Sequence, residues 1–113
     1  MKTVFHAADG SEDVQDAAIR YASGIFEDDS VETDAVAVVA NASGIELVRS
    51  DSDHSEDITT LSEKNVRFIA CEKSMEAAGL THDDILDSVE TAPTSVGILT
   101  QLQENGYRYI KVP

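Results

Sequence analysis

The chain has 113 residues, 42% of them hydrophobic, which suits one globular core and excludes two independent ones, so residues 1–113 are read as a single domain. Its 22 acidic residues outnumber 8 basic ones for a formal charge of −14, and no Lys/Arg cluster is present to neutralise phosphates, so direct nucleic-acid binding is not expected. The longest apolar run, Ala35 to Ala40, is too short to cross a bilayer, and the N-terminus lacks the apolar stretch of a signal peptide, so a cytoplasmic protein free of the membrane is expected.

Lys2 to His6 alternates and is rich in β formers. Asp9-Gly10-Ser11 then reads as a turn, with Ser11 capping a helix whose first turn carries Glu12 and Asp13 at the positive dipole end. Val14, Ala18, Tyr21 and Ile25 recur at helical spacing, and Ile19, Ala22 and Phe26 widen that stripe. The run Ala35 to Ala40 has no polar position, as expected of a parallel strand buried on both faces, and Asn41 follows it. Ile45 to Val48 suggests one helical turn, and Ser50 to Ser55 a polar loop with nothing to bury.

Ile58 and Leu61 place a short helix before Asn65, and Val66 to Ala70 is the third strand, ending at Cys71. Met75 and Ala78 are expected to face inward from the next helix, which Gly79 closes with Leu80 packed behind. Thr81-His82-Asp83-Asp84 has capping-box spacing. Val89 to Ala92 is a fourth short strand, Pro93 and Thr94 open a helix bearing Ile98, Leu99 and Leu102, Gly106 stops it, and Tyr107 to Val112 is the last strand. Five strands alternating with four helices give an α/β fold, with a parallel sheet covered on both faces.

In such sheets ligands bind beyond the carboxyl ends of the strands, where this chain has His6, Asn41, Cys71 and Pro93. Cys71 is the only cysteine, so no intramolecular disulfide can form. Its place at a helix N-terminus favours a thiolate; Lys73 assists that, and Glu72 and Glu76 oppose it. The plainer reading is that Cys71 fills space, His6 is a satisfied interior histidine and Asn41 a turn former. His54 and His82 lie in polar stretches and are expected to be solvated, and no zinc spacing is present. The Asp9-Gly10-Ser11 turn lacks the glycines and lysine of a phosphate loop, and no G-x-S-x-G elbow exists, so neither metal nor cofactor is expected.

The segments Val4-Phe5-His6, Val38 to Asn41, Val66 to Ser74 and Leu102 to Lys111 together resemble the DsrE/DsrF-like family. The most specific stretches are F-I-A-C-x-x-S, which adds Ser74 to the candidate binding residues His6 and Asn41, and the closing L-Q-E-x-G-Y-x-Y-I-K. The resemblance implies a three-layer α/β/α fold with five parallel strands in the order 4-3-2-1-5, assembled as a homo-oligomer (trimer or hexamer). It also implies a cysteine persulfide at Cys71 that takes sulfur from a donor protein and gives it to an acceptor. At Asn41 the chain departs from the family pattern, in which histidine is frequent.

Three functions compete: a sulfur carrier, a non-catalytic small-ligand or partner-binding module, and a thiol that senses oxidants. With the order 4-3-2-1-5, the first and third strands lie on the order of 10 Å apart. His6 is then out of direct reach of Cys71, Asn41 is its nearer neighbour, and Cys71 is expected to be partly exposed at the carboxyl edge. A flavodoxin-like order, 2-1-3-4-5, would let His6 pair with Cys71. The scattered acids read as adaptation to high salt, since at molar ionic strength the Debye length falls to roughly 3 Å and self-repulsion fades.

Overall fold

The computed structural model describes residues Met1–Pro113. Strands β1 (Lys2–Ala7), β2 (Ala35–Ala40), β3 (Arg67–Cys71), β4 (Glu90–Ala92) and β5 (Tyr107–Lys111) alternate with helices α1 (Glu12–Gly24), α2 (Ser55–Glu63), α3 (Glu72–Ala77) and α4 (Ser95–Glu104). All strand pairs are parallel, and the sheet order is β4-β3-β2-β1-β5, as the resemblance implied.

This order decides where the helices lie. The chain steps from β1 to β2, β3 and β4 in one direction, so right-handed crossovers put α1, α2 and α3 on one face. The return from β4 to β5 runs the other way and puts α4 alone on the opposite face. The two cores reflect that asymmetry. Phe5, Val36, Val38, Phe68 and Ala70 pack beneath α1, α2 and α3 in a cluster of 20 buried residues, whereas Val4, Ala37, Val39, Ile69, Ala92 and Leu102 form one of only 6 beneath α4. β2 is central and enclosed on both sides, which is why its sequence has no alternation.

Ser11 caps α1, its side chain accepting from the Val14 amide at 3.3 Å. The buried side of α1 is Val14, Ala17, Ala18 and Ala22, so the small residues make the close contact. Phe26, expected on the apolar stripe, is 44% exposed. The helix tightens after Gly24 into a 3-10 turn, Ile25–Glu27, which changes the angular step and turns Phe26 outward. Ala78 is likewise exposed rather than inward. α3 has only six residues, and Ala78 is its C-cap, where a Schellman motif runs from the Leu80 amide to the Met75 carbonyl and from the Gly79 amide to the Glu76 carbonyl. Gly79 takes φ +71 there, and Leu80 packs against the core.

The segment after β2 forms a 3-10 helix, Ala42–Val48, that buries Ile45, Leu47 and Val48. It lies so close to the end of β1 that a Cβ on Gly44 would stand 2.1 Å from the Ala7 carbonyl oxygen. That contact fixes Asn41 and Ala42 at the carboxyl edge of the sheet. His54 is not solvated as its loop suggested: its side chain is 15% exposed, with Nε2 3.0 Å from the Asp16 carboxylate. The Thr81–Asp84 box is present and caps a 3-10 turn, His82–Asp84. No helix is long and apolar enough to cross a membrane.

Candidate functional site

Cys71 is the last residue of β3 and the N-cap of α3, and strand alternation points it to the same face as Ile69, toward α4. It pairs in register with Ala92 of β4, from which the chain turns through Pro93 into α4. Thr94 caps that helix, its hydroxyl accepting from the Gly97 amide at 3.0 Å, and Ser95 is the first helical residue. Two helix N-termini therefore converge on one thiol, each bringing backbone N–H groups that have no partner within their helix.

The thiol is only 3% exposed, not partly open as expected, because the start of α4 closes over it. It is not enclosed by apolar atoms alone. Burial pushes its pKa up, and this is more than offset by hydrogen bonds from the Ser74 hydroxyl and from the backbone amides of Ser74, Ser95 and Lys73, so the net displacement is downward. The Ser74 Oγ also accepts from the Ala42 amide at 2.7 Å, which leaves its own O–H free for the sulfur. Ala42 holds a left-handed conformation, φ 49, unusual for a residue with a side chain.

His6 and Asn41 join the same edge by a second route. His6 Nε2 lies 2.8 Å from Asn41 Oδ1, and Asn41 Nδ2 donates to Ser95 Oγ at 2.9 Å. The other ring nitrogen of His6, Nδ1, lies 2.6 Å from the Tyr109 hydroxyl of β5. Because Asn41 spends its NH2 group on Ser95, its oxygen faces His6, and Nε2 must carry the proton. In the neutral ring Nδ1 then accepts from Tyr109. Both ring nitrogens are committed, so His6 makes no bond to Cys71, in keeping with the strand order.

The structure thus gathers Cys71 and Ser74 at the start of α3 and bonds His6 and Asn41 to Ser95 at the start of α4. Ser95 and Tyr109 were missed from sequence. A serine directly after a capping threonine, at the start of a helix that follows a strand, carries the same signal as Cys71 itself and could have pointed to Ser95. Nothing local marked Tyr109. Pro93 is exposed and brings no polar group. No group of three or more His, Cys, Asp or Glu residues is placed to hold a metal ion.

Lys73 and Ser74, two of the thiol's partners, line an open cleft of about 500 Å³ between α3 and the 3-10 helix Ala42–Val48. A larger groove, about 630 Å³, lies away from the thiol between the end of α1 and β5, lined by Phe5, Tyr21, Ile25 and Ile110 among others. It contains none of the thiol's partners, so its size does not make it the centre of the chemistry.

The model of the DsrE/DsrF-like family matches residues 2–112, nearly the whole chain. The chain belongs to the DsrE/DsrF-like family. Among solved structures of similar shape, the protein of unknown function MTH1491 from Methanobacterium thermoautotrophicum is 30% identical, with 97% of each chain covered and a TM-score of 0.84. The conserved protein of unknown function BT1422 from Bacteroides thetaiotaomicron shares the fold at 14% identity and a TM-score of 0.71, over 98% of this chain and 94% of its own. No curated protein matches. For this DsrE/DsrF-like chain, any role must therefore be argued from the Cys71 edge itself.

Proposed function

We propose that this protein carries sulfur as a persulfide on Cys71 within a sulfur relay. The supporting observation is the place of Cys71 at the N-termini of α3 and α4, where polar groups of Ser74, Ser95 and Lys73 hold its pKa below the ordinary thiol value, favour a thiolate, and would equally favour the anionic terminal sulfur of a persulfide. The Cys71 thiolate attacks the terminal sulfur of a donor persulfide, an S–S bond forms to Cys71, and the donor leaves as a thiolate. An acceptor thiolate then attacks that terminal sulfur and releases Cys71 as thiolate. No net oxidation occurs in either transfer, so no cofactor is required. A donor approaches over the cleft beside Ser74, whose lining carries one cation, Lys73, and one anion, Glu46.

The partners are a sulfur donor protein and an acceptor protein, the chain assembles as a homo-oligomer of three or six copies, it works in the cytoplasm, and its acidic surface suits high salt. Intact-mass spectrometry after incubation with a small-molecule persulfide donor tests the central proposal. A gain of one sulfur in the wild type, absent in Cys71→Ser, is expected. Gain of oxygen alone would favour an oxidant-sensing thiol, and no gain at all would leave the non-catalytic binding module ahead.

A further inference from the structure

We infer that Tyr109, on the edge strand β5, is a positioning residue for Cys71, acting through His6, Asn41 and Ser95. Four side chains from β5, β1, the end of β2 and the start of α4 form one continuous chain of hydrogen bonds, with separations of 2.6, 2.8 and 2.9 Å. Its last member, Ser95, opens α4 three residues after Ala92, the register partner of Cys71, and its backbone amide is among the groups that hold the Cys71 pKa down. The chain spans the sheet from an exposed edge, where Tyr109 is 41% exposed, to a thiol that is almost wholly enclosed.

Its direction depends on the far end. With the Tyr109 O–H donating to Nδ1, the neutral His6 ring is held as the Nε2–H tautomer, which donates to Asn41 Oδ1 and leaves the Asn41 NH2 for Ser95. Without that hydroxyl, only water from the exposed edge meets Nδ1, and water accepts as readily as it donates, so the ring is free to place its proton there. Nε2 would then face Asn41 Oδ1 as acceptor against acceptor, and the Asn41 amide would turn over. Ser95 Oγ, now facing the Asn41 oxygen, would have to donate instead of accept, and the reversed bond reorients the side chain that seats the start of α4 beside Cys71. Tyr109 needs no contact with Cys71 to act in this way. A purely structural role, satisfying a half-buried histidine, would end at His6.

The inference builds on the reading of Cys71 as a functional thiol, yet its test reads the thiol directly. In protein labelled at its single cysteine and its histidines, NMR follows the Cys71 titration and the His6 tautomer in wild type, Tyr109→Phe and Tyr107→Phe. Phenylalanine keeps the ring packing and removes only the hydroxyl. Tyr107, on the same strand, makes no hydrogen bond to His6, and Tyr107→Phe should leave both signals as in wild type. In Tyr109→Phe the tautomer should become mixed and the thiolate-to-thiol ratio at neutral pH should fall about threefold, as for loss of one ordinary hydrogen bond. Asn41→Ala, which cuts the chain in the middle, should lower the ratio at least as far. An unchanged Cys71 titration in Tyr109→Phe, whether or not the tautomer moves, would overturn the inference. If the titration follows Tyr109 while the wild type never gains sulfur, the carrier reading fails and the positioning role stands.

Discussion

Replacing Ser74 with alanine removes two interactions of one hydroxyl. As an acceptor it holds the Ala42 amide at 2.7 Å, and as a donor it helps to hold the Cys71 pKa down. Ala42 is exposed, so water can take over the first bond, and the stability lost should be near the lower end of the range for a hydrogen bond, about 0.5 kcal/mol. The second bond reaches a charged sulfur, where such contacts are worth about 1.5 to 3 kcal/mol. Three amides remain around the thiol, so the lower figure applies. A loss of about 1.5 kcal/mol is about a tenfold fall in the thiolate-to-thiol ratio at a fixed pH. NMR titration of the labelled cysteine reads the ratio, and thermal unfolding reads the stability. Coincident titration curves for wild type and Ser74→Ala would refute the claim that side-chain donation tunes this thiol; a collapse of the fold would show that the Ala42 contact had been undervalued.

The same downward displacement gives a pH dependence of stability. The folded thiol ionises at lower pH than the unfolded one, so between the two values the unfolded chain binds more protons and stability rises with pH; below the folded value the gain is lost. Subtracting the unfolding free energy of Cys71→Ala at each pH should leave this rise, and a flat difference would contradict it. Gly44→Ala forces a Cβ to within 2.1 Å of the Ala7 carbonyl and should cost about 1 to 3 kcal/mol by denaturant unfolding, with a neutral effect counting against the close packing of that segment. The bidentate Arg67–Glu90 pair across β3 and β4 is nearly half exposed, so Glu90→Gln should cost less than about 1 kcal/mol despite its good geometry. Raising KCl from low to molar concentration should raise the unfolding temperature of a chain with charge −14; a flat or falling value would remove the case for salt adaptation.

Local patterns revealed what local physics controls. The unbroken apolar run of β2, the Ser11 cap, the Gly79 stop and the Thr81–Asp84 box were each readable because their signals lie within a few residues. Strand order was not legible from periodicity: alternating strands and helices fit 2-1-3-4-5 as well as 4-3-2-1-5, and only the family resemblance separated them. Phe26 and Ala78 were misplaced because a stripe extrapolated past Gly24 and Ala77 ignores the change in helical pitch and the C-cap at those ends. Cys71 was read at the right corner with the wrong exposure, since the chain that closes over it begins at Ser95. The partners of the second network lie 103 residues apart for His6 and Tyr109 and 54 for Asn41 and Ser95. Pairings at such separations are made by topology, and no short pattern announces them.

The central claim is that Cys71 holds a sulfur atom that a nucleophile can remove. Cyanide attacks such a terminal sulfur and yields thiocyanate, restoring the thiol. After loading with a persulfide donor and removal of excess reagent, the wild type should release one thiocyanate per chain and Cys71→Ser none. Equal release from both, or none from the wild type while its thiol still titrates as a thiolate, would contradict the account.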